Sequence, residues 1–448
     1  MKNRRAFLKF AGAGFLAMNV KDSTAAPTVR GAGLNQGSRL WHVDAFGVGK
    51  SRVGSGSDDT VALQSAMSSG EMIDVTGALL RVSDTINVDY SGANISSVMA
   101  SRVGDRASSK ITVVDDEMPL LFNICGSNFE ASGFFCECGG GNKATTLFHF
   151  ERPAGSAVDI DADLEGIGHE GGARFFYHSG RGLKLRNITS GNVKVSFGDL
   201  DFPVSWVESG QSNDTPVTAM RAYQFHEIRM HGAAAGIRNI GANALNCGPI
   251  LASDWLSDIG GGPLFIGVSP GGSKFSNLIS SIGATLAGGL LDLHAGSRQT
   301  TFANISAVGI KKGADLRLNR NAIMIRPTAA NPIYDIVFNG GSIGPCNRNG
   351  IYILGDGACY ITCVGVGFDR TNIEGAIYSP IRVEESGGTL SDVWVKFSAC
   401  NFRFGGETAP AYLVGGLDSA NVHIRRDYTT TKPSVLPWAQ ASVDDDGP

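Results

Sequence analysis

Two short stretches place acids, bases and a guanidinium where strand geometry would gather them on one surface. The first is AYQFHEIRMHG, residues 222–232. Successive residues of a strand face opposite sides. Gln224, His226, Ile228 and Met230 therefore share one face, and Tyr223, Phe225, Glu227, Arg229 and His231 the other. Ile228 and Met230 belong in an apolar interior, so Tyr223, Glu227, Arg229 and His231 are expected outside. Such a row suits carbohydrate. The aromatic ring stacks on a sugar, Arg229 pairs bidentately with a carboxylate, and Glu227 or His231 moves a proton. The second stretch is LLDLHAGSR, residues 290–298. Here Leu291 and Leu293 point in, Asp292 and His294 point out, and Arg298 follows at the turn.

The reactions these residues offer depend on spacing. If two coils of a repeating structure separate Glu227 from Asp292, the gap is about 10 Å at about 4.8 Å per strand. That is near the upper range for an inverting pair of carboxylates; three coils would be too far. As a hydrolase, Glu227 and Asp292 would be acid and base. As a lyase, Arg229 or Arg298 would neutralise a uronate while His231 or His294 takes its proton. Trp255, between Asp254 and Asp258, offers a sugar platform. Asp159, Asp161, Asp163 and Glu165 resemble a calcium loop without its glycine and terminal glutamate. Neither a metal nor a cofactor is expected.

The elements that must hold these residues are legible nearer the start, in HVDAFGVGKSRVGSGSDDTVALQSAM, residues 42–67. Gly49-Lys50-Ser51 matches the end of a phosphate loop, but Asp44 stands where the first glycine is needed, and no helix follows Lys50. A helix does follow Ser57, Asp58 and Asp59, which supply capping oxygens. Val61, Leu63, Ala66 and Met67 give it an apolar stripe, and Ser68-Ser69-Gly70 ends it. Two strands are expected next, around Thr76-Gly77. One short helix ahead of a chain of strands fits a plug over the end of a long β structure.

With IDVTGALLRVSDTINV, this region resembles the N-terminal signature of the pectate-lyase-like, rhamnogalacturonase/epimerase-type right-handed parallel β-helix superfamily. There a V-x-D-[FY]-G-A-like strand, a Gly loop, D-D-T-x-A-[LIF]-Q-x-A and a V-P-x-G-x-Y-like turn occur in this order. Here Thr76 replaces the proline, and Leu79 or Leu80 the tyrosine. The resemblance implies an all-β solenoid with an N-terminal capping helix, and makes Asp58 and Asp59 capping residues. It leaves the reaction open, since the superfamily includes lyases, hydrolases, phage tailspikes and non-enzymes. Neither the N-T-D…D-D…G-H-G…R-I-K set of polygalacturonases nor the W-x-D-H and R-x-P-x-x-R motifs of secreted pectate lyases is present.

Later segments repeat one pattern: FSNLISSIGA (275–284), FANISAVGIKK (302–312), YDIVFNGGSIG (334–344), YITCVGVGFDR (360–370) and VWVKFSACNFRFG (393–405). Each alternates apolar residues, bends at a small or polar residue, and adds another apolar pair. Their spacing of roughly 25–35 residues matches one solenoid coil. The chain has 448 residues, 42% of them hydrophobic and only 18% charged, with 60 glycines for tight turns. A net charge of −4 gives no electrostatic case for nucleic acid, and no apolar run is long enough to span a membrane. The eight cysteines lack zinc spacing and read as small hydrophobes stacked between coils.

The assigned organisation is a signal segment over 1–26, an N-terminal strand, Gly loop and capping helix over 27–90, a β-helix over 91–428 and a polar tail over 429–448. In the signal, Arg4-Arg5-Ala6-Phe7-Leu8-Lys9 matches the twin-arginine pattern, and Ser23 to Ala26 offers a cleavage site. Engagement of the twin-arginine export machinery and a periplasmic or secreted location follow. The expected function is cleavage of glycosidic bonds in an acidic or capsule-like polysaccharide. The competing readings are a non-catalytic glycan-binding or exopolysaccharide-assembly protein and a phage tailspike-like depolymerase, the last expected as a trimer.

Overall fold

Short apolar runs rich in β-branched and aromatic residues form the strands, and glycine or asparagine marks many of the bends between them. The computed structural model describes residues 40–46, 58–89, 92–97, 109–126, 128–139, 145–151, 161–179, 182–191, 198–201, 224–231, 237–240, 246–253, 265–268, 273–280, 290–309, 321–371, 378–386, 392–403, 412–416, 422–427, 436–438 and 442–445. These pair as parallel strands, each with the coil before and the coil after. No hairpin pairing occurs among them. The strands form one sheet of 13, here the narrow sheet, and a second of 23, here the broad sheet.

One coil shows the plan. Leu291–His294 belongs to the narrow sheet. A turn through Gly296, at φ 88°, leads to Arg298–Gly309 in the broad sheet, which bends at Asn304, at φ 51°. The bend recurs in other coils. Asn187, Glu227 and Asn277 hold φ between 52° and 54° at the equivalent places. Asparagine tolerates this left-handed conformation far better than most residues do. At the next bend, Gly341 has φ 87°, and a Cβ there would lie 2.2 Å from the carbonyl oxygen of Ile305.

Inside, like side chains stack along the coils. Phe275, Phe302 and Phe338 lie parallel at 4.8 and 5.3 Å between ring centroids, and Cys363 and Phe397 continue the register. All eight cysteines are free thiols and seven are buried, the packing role that the sequence suggests. This stacking is what makes the structure stable, because a single coil cannot bury its own apolar face.

The helix Thr60–Met67 covers the first coil with Leu63, Ala66 and Met67 buried, while Val61 is 79% exposed and outside the expected stripe. Its polar residues substitute for a missing strand. Asp59 accepts the Arg81 N–H at 3.0 Å and donates its own N–H to the Arg81 carbonyl at 2.7 Å. The Gln64 amide likewise accepts the Asn87 N–H and donates to the Asn87 carbonyl, both at 2.8 Å. Asp58 accepts the Thr60 N–H at 3.0 Å. Three strands follow where two were expected: Met72–Asp74, Leu79–Val82 and Ile86–Val88. The 429–448 segment, expected to be a tail, carries two strands, Leu436–Trp438 and Ser442–Asp445, which extend both sheets.

Candidate functional site

On the narrow sheet the alternation of LLDLH holds. Leu291 and Leu293 are buried, and Asp292 and His294 face outward. The next strand, Ile323–Arg326, buries Ile323, Met324 and Ile325 and leaves Arg326 outward, in register with His294. Arg326 reaches diagonally to Asp292, donating from Nε at 2.7 Å and from Nη2 at 3.2 Å. His294 Nε2 lies 3.5 Å from the same carboxylate. Asp292 is 15% exposed, His294 45% and Arg326 42%. Burial alone would raise the Asp292 carboxyl, but the bonds from His294 and Arg326 outweigh it and hold it below the ordinary aspartate range.

Two strands further along, Tyr352 donates its hydroxyl to Glu384, which also accepts from Arg382 Nε. Burial, then this bond to a carboxylate, raise the Tyr352 phenol well above its ordinary value, so it stays a proton donor. Arg348 sits over the Tyr378 ring at 5.4 Å. Asp292, His294, Arg326, Tyr352, Arg382 and Glu384 thus occupy one face across four consecutive strands.

The AYQFHEIRMHG stretch is built differently from the alternation expected of it. Glu227 is the left-handed bend, at φ 54°, so the pattern restarts there. Phe225 and Ile228 are both buried, although they were assigned to opposite faces. Glu227 and Arg229 are exposed, as expected. His231 ends the strand, with its side chain outside the described residues, and so are Tyr223 and Trp255.

Glu227 and Asp292, expected as an acid–base pair, stand on different sheets. Two coils do separate them, but Glu227 lies at the bend of the broad sheet and Asp292 on the narrow one. A half-strand of about six residues, roughly 20 Å at about 3.3 Å per residue, intervenes around the coil. Arg298 is exposed at the start of the broad sheet, in register with Tyr334 and one turn from His294. Asp163 and Glu165 are taken up by Arg186, at 2.9 and 3.0 Å. Among the described residues no group of three His, Cys, Asp or Glu side chains is placed to hold a metal ion.

Sequence reasoning overlooked Arg326, Tyr352, Arg382 and Glu384. The alternation in IMIR, IYILG and IRVEE marks each as outward, but nothing local shows which strands stack beside Asp292.

No family model matches the chain, and no curated protein matches it in sequence. A solved N-terminal fragment of gene product 12 of bacteriophage phi29 matches with a TM-score of 0.50 at 14% identity, over 88% of this chain and 71% of that one. The fold is a right-handed parallel β-helix. Weaker likenesses are the A-module of the mannuronan C-5 epimerase AlgE4 of Azotobacter vinelandii and a GH87 α-1,3-glucanase catalytic unit of Streptomyces thermodiastaticus. The first has a TM-score of 0.43 at 11% identity, over 90% of this chain and 100% of that one. The second has 0.46 at 12% identity, over 92% and 69%. At these identities the likeness of this β-helix to each of them is one of fold.

Proposed function

We propose that this β-helix acts on an acidic polysaccharide laid across the narrow sheet, with His294 taking the proton from the carbon beside a uronate carboxylate. The observation that carries the reading is the Asp292–His294–Arg326 cluster on one outward face. With its Nε2 proton turned to Asp292, His294 keeps its basic lone pair on Nδ1. Arg326 spends Nε and one Nη on Asp292, and its other Nη can meet a carboxylate. In a lyase the C5 proton passes to His294, its electron pair forms the C4–C5 double bond, and the C4–O4 bond breaks with the leaving oxygen taking a proton. In an epimerase the carbanion is reprotonated on the opposite side.

Hydrolysis by a carboxylate pair has less support. Asp292 is held ionised, so it is a poor general acid. Among the described residues, Glu384 stands three strands away by backbone pairing. That is about 14 Å, beyond the roughly 9.5 Å an inverting pair spans.

The test incubates the chain with polygalacturonate, mannuronan and bacterial capsular polysaccharides. Unsaturated uronate, seen by ultraviolet absorbance, identifies a lyase. Solvent deuterium at C5 without cleavage identifies an epimerase. His294→Ala is expected to lose about 10²–10⁴-fold in rate. Reducing ends without unsaturation would refute proton abstraction, and binding without any product would favour the non-catalytic reading. Export belongs to the same proposal: Arg4→Lys with Arg5→Lys should retain the full chain in the cytoplasm.

A further inference from the structure

The outward register of the narrow sheet does not stop at Asp292. Backbone pairing runs unbroken from Asn87 through Asn123, His149 and Tyr177 to Asp292. In the early coils these side chains form a directed relay. Asn123 Nδ2 donates to Asn87 Oδ1 at 3.0 Å, so its Oδ1 is turned the other way, 3.1 Å from His149 Nδ1. An amide oxygen only accepts, so this orientation of Asn123 assigns the His149 proton to Nδ1 and the lone pair to Nε2. That nitrogen lies 3.4 Å from Glu151 Oε2, on a carboxylate 58% exposed. Two acceptors therefore face each other at the surface with no proton of their own to share.

The His149 ring lies parallel to that of Tyr177, with centroids 5.0 Å apart and planes 17° from parallel. One ring face is covered, so the imidazole offers a hydrogen-bonding edge in place of a stacking platform. Burial lowers its basicity by more than Glu151 restores, and Arg174 adds to the lowering. The imidazole therefore stays neutral, in keeping with the geometry.

We infer that His149 and Glu151 form a second carbohydrate subsite, where a sugar hydroxyl donates into the gap between Nε2 and Oε2. This rests on the reading of the Asp292 face as a glycan site, and extends it. Five strand spacings separate the two positions, about 24 Å at about 4.8 Å each. One chain lying across the strands would touch both; a disaccharide is far too short, and a dodecasaccharide is long enough.

Calorimetry with di- and dodecasaccharides of polygalacturonate and of mannuronan tests this on the full chain. Glu151→Ala and His149→Ala should weaken dodecasaccharide binding about tenfold, the loss of one or two hydrogen bonds, and leave disaccharide binding unchanged. Asp292→Ala should weaken both. Unchanged dodecasaccharide affinity in Glu151→Ala and His149→Ala, with a loss in Asp292→Ala, overturns the second subsite and leaves the first standing. Failure of the wild-type chain to bind any of these oligomers overturns both. Because His149 also belongs to the relay, nitrogen-15 NMR of the wild-type imidazole supplies a readout independent of the variants. The expected result is an Nδ1–H tautomer whose Nε2 resonance moves on adding dodecasaccharide; an Nε2–H tautomer or an unmoved resonance refutes it.

Discussion

Asp292 shows how one side chain can hold neighbouring strands of a surface together. Its carboxylate is mostly buried, yet two nitrogens of Arg326 and one of His294 surround it. Its removal should cost about 2–3 kcal/mol, because Arg326 would lose charge-assisted bonds at a half-buried position. Denaturant unfolding of Asp292→Ala measures this. The pH dependence follows from the direction of the shift. A carboxyl ionising lower in the folded chain contributes stability that is full above the ordinary aspartate value, and is lost as pH falls through its folded value. The stability gap between wild type and Asp292→Asn should therefore be widest near neutrality and close in acid. Equal gaps at both pH values would show that the lowered carboxyl contributes nothing to folding.

Two elements deserve separate tests, the cap and the bend. In the cap, Asp59 and Gln64 pair with Arg81 and Asn87 as a neighbouring strand would. Gln64→Ala leaves an edge N–H and carbonyl to water or to another chain. It should cost about 1–2 kcal/mol and increase self-association on size exclusion at high concentration. At the bend, Glu227 holds a left-handed φ that Asn187 and Asn277 hold at the equivalent places. Glu227→Asn should stabilise the chain by roughly 0.5–1 kcal/mol. Under the proposed function, the same substitution should leave polysaccharide turnover unchanged, because Glu227 and Asp292 lie on different sheets. A loss of turnover would restore Glu227 as a functional residue.

For the whole molecule, stability is a sum over neighbouring coils. Phe302 lies between Phe275 and Phe338 in one stack. Phe302→Ala should cost about 3–5 kcal/mol. In hydrogen exchange the loss of protection should be greatest in the strands holding Phe275, Phe302 and Phe338, and small in the first coils under the helix. A uniform loss along the chain would mean that the solenoid unfolds as one unit.

The sequence alone determined the architecture. Alternating apolar residues with small or polar bends, recurring at coil length behind a D-D-T…Q signature, have few ways to bury their apolar faces except by stacking. It also set Asp292 and His294 outward, because a strand with leucines at every second position leaves no other choice. Periodicity failed at Glu227, where one left-handed residue reset the alternation and carried Phe225 to the inside. Only the tertiary structure decided which strands became neighbours. Arg326 lies 34 residues from Asp292, and the number of residues per coil, which stacking does not constrain, hides that pairing from any local reading.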